Sequence, residues 1–228
     1  MNAITAIRAL IVVLGLAAWY GTQYLIGAKR PLPADEAAKA GSLLTDGDVL
    51  LRLTAPINQY LNRRAQAASA LLIASSAIID VLGLFVIGWS ILGPSLGPFL
   101  GLIILFALRQ MCQALTALPP PAGMIWRHPG WPSLLVTYGV ANDLFFSGHT
   151  ALAVYGAVQV ALAGSGWLVA LAVLIALFEI AAVLVLRAHY TIDVFGGTLA
   201  ALLAAWIAAY AGPWCDAALA SLLSFGVR

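Results

Sequence analysis

Two short segments of the chain combine a histidine with polar neighbours in patterns suited to acid–base and nucleophilic chemistry. One reads DLFFSGHT and contains His149, and the other reads RAHYTID and contains His189 and Asp193. His189 and Asp193 are four residues apart, so on a helix they share a face and can hydrogen-bond. That contact would leave the second ring nitrogen of His189 free to attack phosphorus, with His149 as the partner in proton transfer. The structural alternative is a histidine in a helix cap, or an ion pair at a helix end.

A predicted helix start and an arginine within an apolar run supply the positive potential that a phosphate group requires. Ser147 precedes an uninterrupted apolar segment and is a good N-cap residue. The backbone N–H groups that follow it, beginning at Gly148, can bind an anion. Arg109 is costly within a bilayer unless it faces a cavity or a partner, so we expect it to clamp phosphate. Its structural alternative is a buried pair with Asp80 or Glu179.

The composition indicates that the bilayer is the solvent for most of this chain. The 228 residues are 63% hydrophobic and only 9% charged, and the mean hydropathy is +0.99. A soluble domain is nearer half apolar and a quarter charged, so a soluble fold is excluded. We expect residues 1–228 to form a single integral membrane domain with no nucleic-acid partner. The composition carries no signal for an oligomeric state.

Six apolar runs are long enough to cross a bilayer as helices, since a span needs about 20 residues. They are Ile4–Ile26, Ala67–Leu92, Gly97–Leu118, Phe146–Ala163, Trp167–Leu186 and Tyr190–Ala211. The sequence therefore predicts an all-α bundle of six transmembrane helices. Six crossings place the loops before the fourth and sixth helices on the same face, so His149 and His189 can meet there.

The long first loop, Gly27–Gln66, contains a candidate interfacial helix. Its later part, Val49–Tyr60, carries apolar residues at helical spacing, and Pro56 should bend it. The N-terminal run Ile4–Ile26 is longer than the apolar core of a signal peptide, so we expect a retained first helix.

Five motifs occur in a recognisable order between about residues 28 and 211. They are Lys29-Arg30-Pro31-Leu32-Pro33, Arg109-x6-Thr116-x-Leu118-Pro119, Asp143, Ser147-Gly148-His149-Thr150 and His189-Tyr190-Thr191-Ile192-Asp193. This ordered set resembles the type 2 phosphatidic acid phosphatase superfamily, and more closely its sphingomyelin synthase-like branch.

The resemblance implies a lipid head-group phosphotransferase that works through a phosphohistidine. His189, oriented by Asp193, would attack the phosphorus of a membrane phospholipid donor. His149 would protonate the departing alkoxide and then take the proton of the acceptor, a lipid hydroxyl on ceramide or diacylglycerol. Asp143 would hold a cationic head group or tune His149, and Arg187 would assist in holding the phosphate oxygens.

Neither a metal nor another cofactor is expected, because arginines and helix amides supply the positive charge and no metal-ligand constellation is visible in the sequence. We expect a multi-pass protein of the bacterial inner membrane.

Three alternatives remain open at the level of the sequence. The same site would act as a lipid phosphatase or a phospholipase C-type hydrolase if water were the acceptor. His149 and His189 could instead be the axial ligands of a b-type haem. A catalytically inactive lipid-binding scaffold would keep the fold without turnover.

Overall fold

The computed structural model describes residues 3–27, 33–138, 144–164 and 166–225, and most of these are helical. Helices make up 80% of the structure, and the described ranges contain no strand, which confirms the all-α prediction. In chain order the helices are α1 (Ala3–Gly27), α2 (Ala34–Gly47), α3 (Val49–Leu53), α4 (Ala55–Arg63), α5 (Ala65–Leu92), α6 (Gly97–Leu115), α7 (Gly148–Ala163), α8 (Gly166–Val185) and α9 (Thr191–Phe225).

Five of these helices are long and apolar enough to cross a membrane, not the six that the sequence predicted. They are α1, α5, α6, α8 and α9. Helix α7 has only 16 residues, which at about 1.5 Å each covers roughly 24 Å of a hydrocarbon core about 30 Å thick. It ends at Ala163 as predicted, but it begins at Gly148 rather than Phe146, because Ser147 is the cap residue that precedes the helix.

Short α7 lies at the centre of the bundle. It packs against α5, α6, α8 and α9. Tyr155 on α7 is fully buried, and its hydroxyl donates a 2.7 Å hydrogen bond to the carbonyl oxygen of Pro98 at the start of α6. Helix α7 therefore packs against four of the long helices of the bundle.

The first long loop folds into three short helices rather than one bent interfacial helix. The predicted Val49–Tyr60 segment divides at Thr54 into α3 and α4. Pro56 lies in the first turn of α4, where its missing N–H costs nothing, whereas within a continuous helix it would remove a hydrogen bond. Helix α2 was not predicted, and it packs its Thr45 against the loop after α6, where Thr45 Oγ1 accepts from Ala122 N at 2.9 Å.

Polar contacts close the opposite end of the bundle. The guanidinium of Arg8 on α1 donates to the carbonyl oxygen of Gly93 at 2.7 Å and lies 3.1 Å from Oδ1 of Asp216 on α9. The same carboxylate accepts from the backbone N–H of Leu96 at 3.0 Å. These bonds join α1, the α5–α6 turn and the far half of α9. Helix α9 continues past Ala211, where the prediction ended it, and accommodates Pro213 within it.

Candidate active site

A cavity of about 140 Å³ lies at the end of the bundle where α7 and α9 begin. Its polar wall brings together four residues that the sequence pointed to: Arg109, Gly148, His149 and His189. The remaining wall is mostly apolar and comes from α5, α6, α7 and the loop after α6. The segments that were separate in the sequence thus line the same cavity.

His189 is held by a backbone carbonyl more closely than by the predicted carboxylate. Its Nδ1 lies 2.8 Å from the carbonyl oxygen of Leu144 and 3.6 Å from Oδ2 of Asp193. The first distance is a hydrogen bond, whereas the second is outside hydrogen-bonding range. A carbonyl can only accept, so Nδ1 carries a proton, and in the neutral ring the lone pair is then on Nε2. The expected His189–Asp193 hydrogen bond is replaced by a close electrostatic contact.

Asp193 joins the beginnings of α7 and α9. Its Oδ2 accepts the N–H of Tyr190 at 2.8 Å, and its carbonyl oxygen accepts the N–H of Ser147 at 3.0 Å. The side chain is fully buried. Close approach of the two helices also requires Gly197, where a Cβ atom would lie 2.7 Å from the carbonyl oxygen of Ser147. Asp193 therefore fixes the relative position of the two segments that bear the histidines.

Ser147 is the N-cap of α7, as the sequence predicted. Its Oγ accepts from the N–H of Thr150 at 3.3 Å, and the residue is fully buried. His149 follows in the first turn with 6% of its surface exposed. Its Nε2 has no hydrogen-bond partner among the described residues. A buried nitrogen in that state is costly unless a ligand meets it.

Arg109 lies beside the first residue of α7. Its Nε donates to the carbonyl oxygen of Phe146 at 3.1 Å. A Cβ atom at Gly148 would lie 2.9 Å from Nε and 3.1 Å from Cζ of the guanidinium. Glycine at this position therefore lets the arginine pack against the helix start. Of the two acids considered as alternative partners, Glu179 accepts from Ser75 Oγ at 2.6 Å, and Asp80 accepts from Ser133 Oγ and from the N–H groups of Leu134 and Leu135.

The side chain of Arg187 binds backbone carbonyl groups outside the cavity wall. It adopts a left-handed conformation (φ 53°) after the end of α8. Its guanidinium donates to the carbonyl oxygens of Ala122 and Leu51, and it does not line the cavity. The turn directs the side chain away from His189, although the two residues are neighbours in sequence. Asp143 lies outside the described residues, as do Lys29, Arg30, Pro31 and Leu32 of the first motif.

Two further residues near the site were not recognised in the sequence: Asp48, which contacts the start of α9, and Trp126, which lines the cavity. Asp48 accepts from the N–H groups of Leu50 and Leu51 and also from the N–H of Thr191 at 2.7 Å, which joins α3 to the start of α9. Trp126 lines the cavity next to His149, with the two ring centroids 5.1 Å apart. The sequence shows Asp46-Gly47-Asp48 in the first loop and a third loop rich in Pro and Trp. Neither pattern indicates which residues Asp48 and Trp126 contact in the fold.

A protein-family model, AtPDCT1/2, matches residues 47–210, which include every element of the cavity. This match covers well over half of the chain. The chain belongs to the AtPDCT1/2 family. The name of this plant family stands for phosphatidylcholine:diacylglycerol cholinephosphotransferase. No curated protein and no solved structure matches the chain.

Membership of the AtPDCT1/2 family confirms that the chain is an enzyme, a phosphotransferase that acts on membrane lipids. It also overturns the resemblance drawn from the motifs. The matching family is neither the type 2 phosphatidic acid phosphatase superfamily nor its sphingomyelin synthase-like branch, so the expectation of a sphingolipid loses its support. A plant-derived family likewise gives no support to a bacterial inner membrane, whereas the apolar helices fit a multi-pass membrane protein.

Proposed function

We propose that this enzyme transfers phosphocholine from phosphatidylcholine to diacylglycerol through a phosphohistidine on His189. The observation that carries the proposal is that His149, His189 and Arg109 line one cavity within a chain of the AtPDCT1/2 family. The family name supports this choice of donor and acceptor, and the geometry of the cavity supports the roles of the residues.

In the first half-reaction, Nε2 of His189 attacks the phosphorus of phosphatidylcholine. A P–N bond forms and the P–O bond to the glycerol oxygen breaks. Protonated His149 gives its proton to the leaving alkoxide, so diacylglycerol departs as a neutral molecule. The imidazole of His189 still carries its Nδ1 proton and becomes cationic. The carboxylate of Asp193 at 3.6 Å and the carbonyl of Leu144 stabilise that cation.

In the second half-reaction, neutral His149 takes the hydroxyl proton of an incoming diacylglycerol. The oxygen attacks phosphorus, the P–N bond breaks, and a new phosphatidylcholine forms. His149 and His189 return to their starting states, so the cycle balances. Arg109 and the backbone N–H groups that begin at Gly148 would neutralise charge on the phosphoryl oxygens in both steps, which the packing of Arg109 against the start of α7 supports.

The burial of both histidines favours a lipid acceptor over water. His149 and His189 are 6% and 4% exposed, and much of the surrounding wall is apolar. Restricted water access lengthens the lifetime of a phosphohistidine until an acceptor arrives. The hydrolase alternative differs only in that final acceptor, so a product assay separates the two.

The experiment uses the full chain in proteoliposomes with phosphatidylcholine and a fluorescent diacylglycerol. Fluorescent phosphatidylcholine should form, and His149→Ala and His189→Ala should each reduce its formation by at least about 10³-fold while remaining monodisperse. His128→Ala is the matched control, because His128 is exposed and lies outside the cavity wall. Release of free phosphocholine without a new fluorescent lipid would contradict the transferase and favour the hydrolase.

We also infer that α7 crosses the membrane as a sixth span and that α2 to α4 lie at the interface. The starts of α7 and α9 line the same cavity, while α8 between them is long enough to span. Helix α7 must therefore return across most of the same thickness. Single cysteines at Asp46 and Gly164 should react with impermeant reagents added to opposite sides of sealed vesicles. Labelling of both from one side would contradict this topology.

A further inference from the structure

The cavity wall contains an aromatic side chain that the transfer mechanism does not use. Trp126 is half-buried and lies between two other rings. The centroid of Tyr138 is 4.9 Å away at an interplanar angle of 34°, and that of His149 is 5.1 Å away at 84°. Trp126 therefore stands next to the histidine that handles the proton, in the space where the substrate head group must fit.

The backbone on both sides of Trp126 is tied to the bundle. The N–H of Ile125 donates to the carbonyl oxygen of Leu186 at 2.8 Å. On the other side, Arg127 donates to Ser69 Oγ at 2.8 Å and to the carbonyl oxygen of Ala65. Because this segment is fixed, the ring of Trp126 can be held in one orientation. A binding surface requires such a fixed orientation, whereas a side chain that only fills space does not.

The described part of the cavity wall provides an arginine and two histidines but no carboxylate for a cationic head group. Among the described residues that line the cavity there is no Asp or Glu, and the charged or ionisable ones are Arg109, His149 and His189. A primary ammonium loses strong hydration on entering such a space and needs acceptors for three N–H groups. A trimethylammonium group has no N–H to satisfy, and aromatic faces attract it, with Trp the most effective.

We propose that Trp126 is the residue that selects choline over ethanolamine in the donor lipid. The inference rests on the proposed function, because it assumes that the cavity accepts a phosphorylated head group. The phosphate is bound by Arg109 and the start of α7, and the quaternary ammonium packs against the indole of Trp126. The ring of Tyr138 packs against the indole, and the hydroxyl of Tyr138 forms a 2.5 Å hydrogen bond with Ser76 Oγ.

The test compares phosphatidylcholine with phosphatidylethanolamine as donors to the same fluorescent diacylglycerol. We expect Trp126→Leu to reduce the ratio of the two kcat/KM values on the order of 10-fold, mainly through KM for phosphatidylcholine. Trp126→Phe should restore part of the ratio, because it keeps an aromatic face. Trp131→Leu is the matched control, since Trp131 belongs to the same loop but is 58% exposed and outside the cavity wall.

A merely structural role for Trp126, such as packing against His149, would lower the rates with both donors equally. An unchanged ratio in Trp126→Leu therefore overturns the inference while leaving the proposed function intact. A ratio that changes only in Asp143→Asn would also overturn it and assign selection to that carboxylate. Absence of any choline lipid product from the unmodified enzyme would instead defeat the proposed function itself.

Discussion

The Nδ1 atom of His189 lies 2.8 Å from the carbonyl oxygen of Leu144. This backbone contact fixes which ring nitrogen carries the proton, a task that the sequence had assigned to Asp193. Asp193 is left with two other functions, a cap on the start of α9 and a negative charge 3.6 Å from the imidazole. Leu144 thus holds the proton on Nδ1, and Asp193 supplies a nearby negative charge. Loss of the Asp193 carboxylate should therefore leave the tautomer of His189 unchanged.

Asp193→Asn should reduce turnover by roughly 10–100-fold rather than abolish it. Where a carboxylate alone sets the histidine tautomer, its loss costs about 10⁴-fold, but here the carbonyl of Leu144 retains the tautomer. The loss reflects only weaker stabilisation of the cationic phosphohistidine. Initial rates of fluorescent phosphatidylcholine formation measure it, with His189→Ala as the inactive reference. A rate as low as that of His189→Ala would show that Asp193 also sets the tautomer.

Gly148→Ala should lower kcat/KM by roughly 10²-fold without unfolding the protein, the scale of losing one charge-stabilising donor. The added methyl group would lie 2.9 Å from Arg109 Nε and must displace the guanidinium. The matched control is Gly88→Ala on α5, where a Cβ atom meets nothing within 4 Å. Control activity should equal that of the unmodified enzyme. Equal activity in Gly148→Ala would remove Arg109 from the phosphate site.

Asp48→Ala should lower the free energy of unfolding by about 1–2 kcal/mol, the scale of losing a helix cap together with further hydrogen bonds. It removes bonds to the N–H groups of Leu50 and Leu51 and to Thr191. Thermal unfolding in detergent measures the effect. Asp46→Ala, an exposed change in the same loop, should have little effect.

The contribution of Asp48 should also depend on pH. Burial by itself raises the pKa of Asp48, but hydrogen bonds from the side chain and backbone of Thr191 and from Leu51 and Leu50 outweigh it and lower the pKa below 3.8. The stabilisation is therefore complete above that ordinary value and is lost as pH falls through the lowered folded-state pKa. Unfolding curves of the unmodified protein and Asp48→Ala should converge in acid. A constant difference at all pH values would contradict this linkage.

Asp216→Ala should lower the unfolding temperature without changing kcat of the folded enzyme. The substitution leaves buried Arg8 without its carboxylate at the end of the bundle away from the cavity. Because an unpartnered buried charge is costly, the double variant Arg8→Met with Asp216→Ala should recover part of the loss. Calorimetry together with the transfer assay checks both statements. A large fall in kcat would mean that the two ends of the bundle are coupled.

Local composition and short-range spacing determined much of this protein. The apolar runs predicted α1, α5, α6 and α8 to within about three residues at each end, because hydrophobic length is a property of contiguous residues. Ser147 was predicted as the N-cap of α7 on the same local basis. The enzyme class was also predicted, although the motif order pointed to the wrong family.

Contacts between distant parts of the chain decided the rest. Leu144 and His189 are 45 residues apart, and Asp48 and Thr191 are 143 apart. No spacing rule operates over such separations, since the partners meet only when the helices pack. The same packing turned the Arg187 side chain toward the loops and brought Trp126 to His149. The sequence thus specified which groups were available for chemistry, and the tertiary fold determined which of them share one cavity.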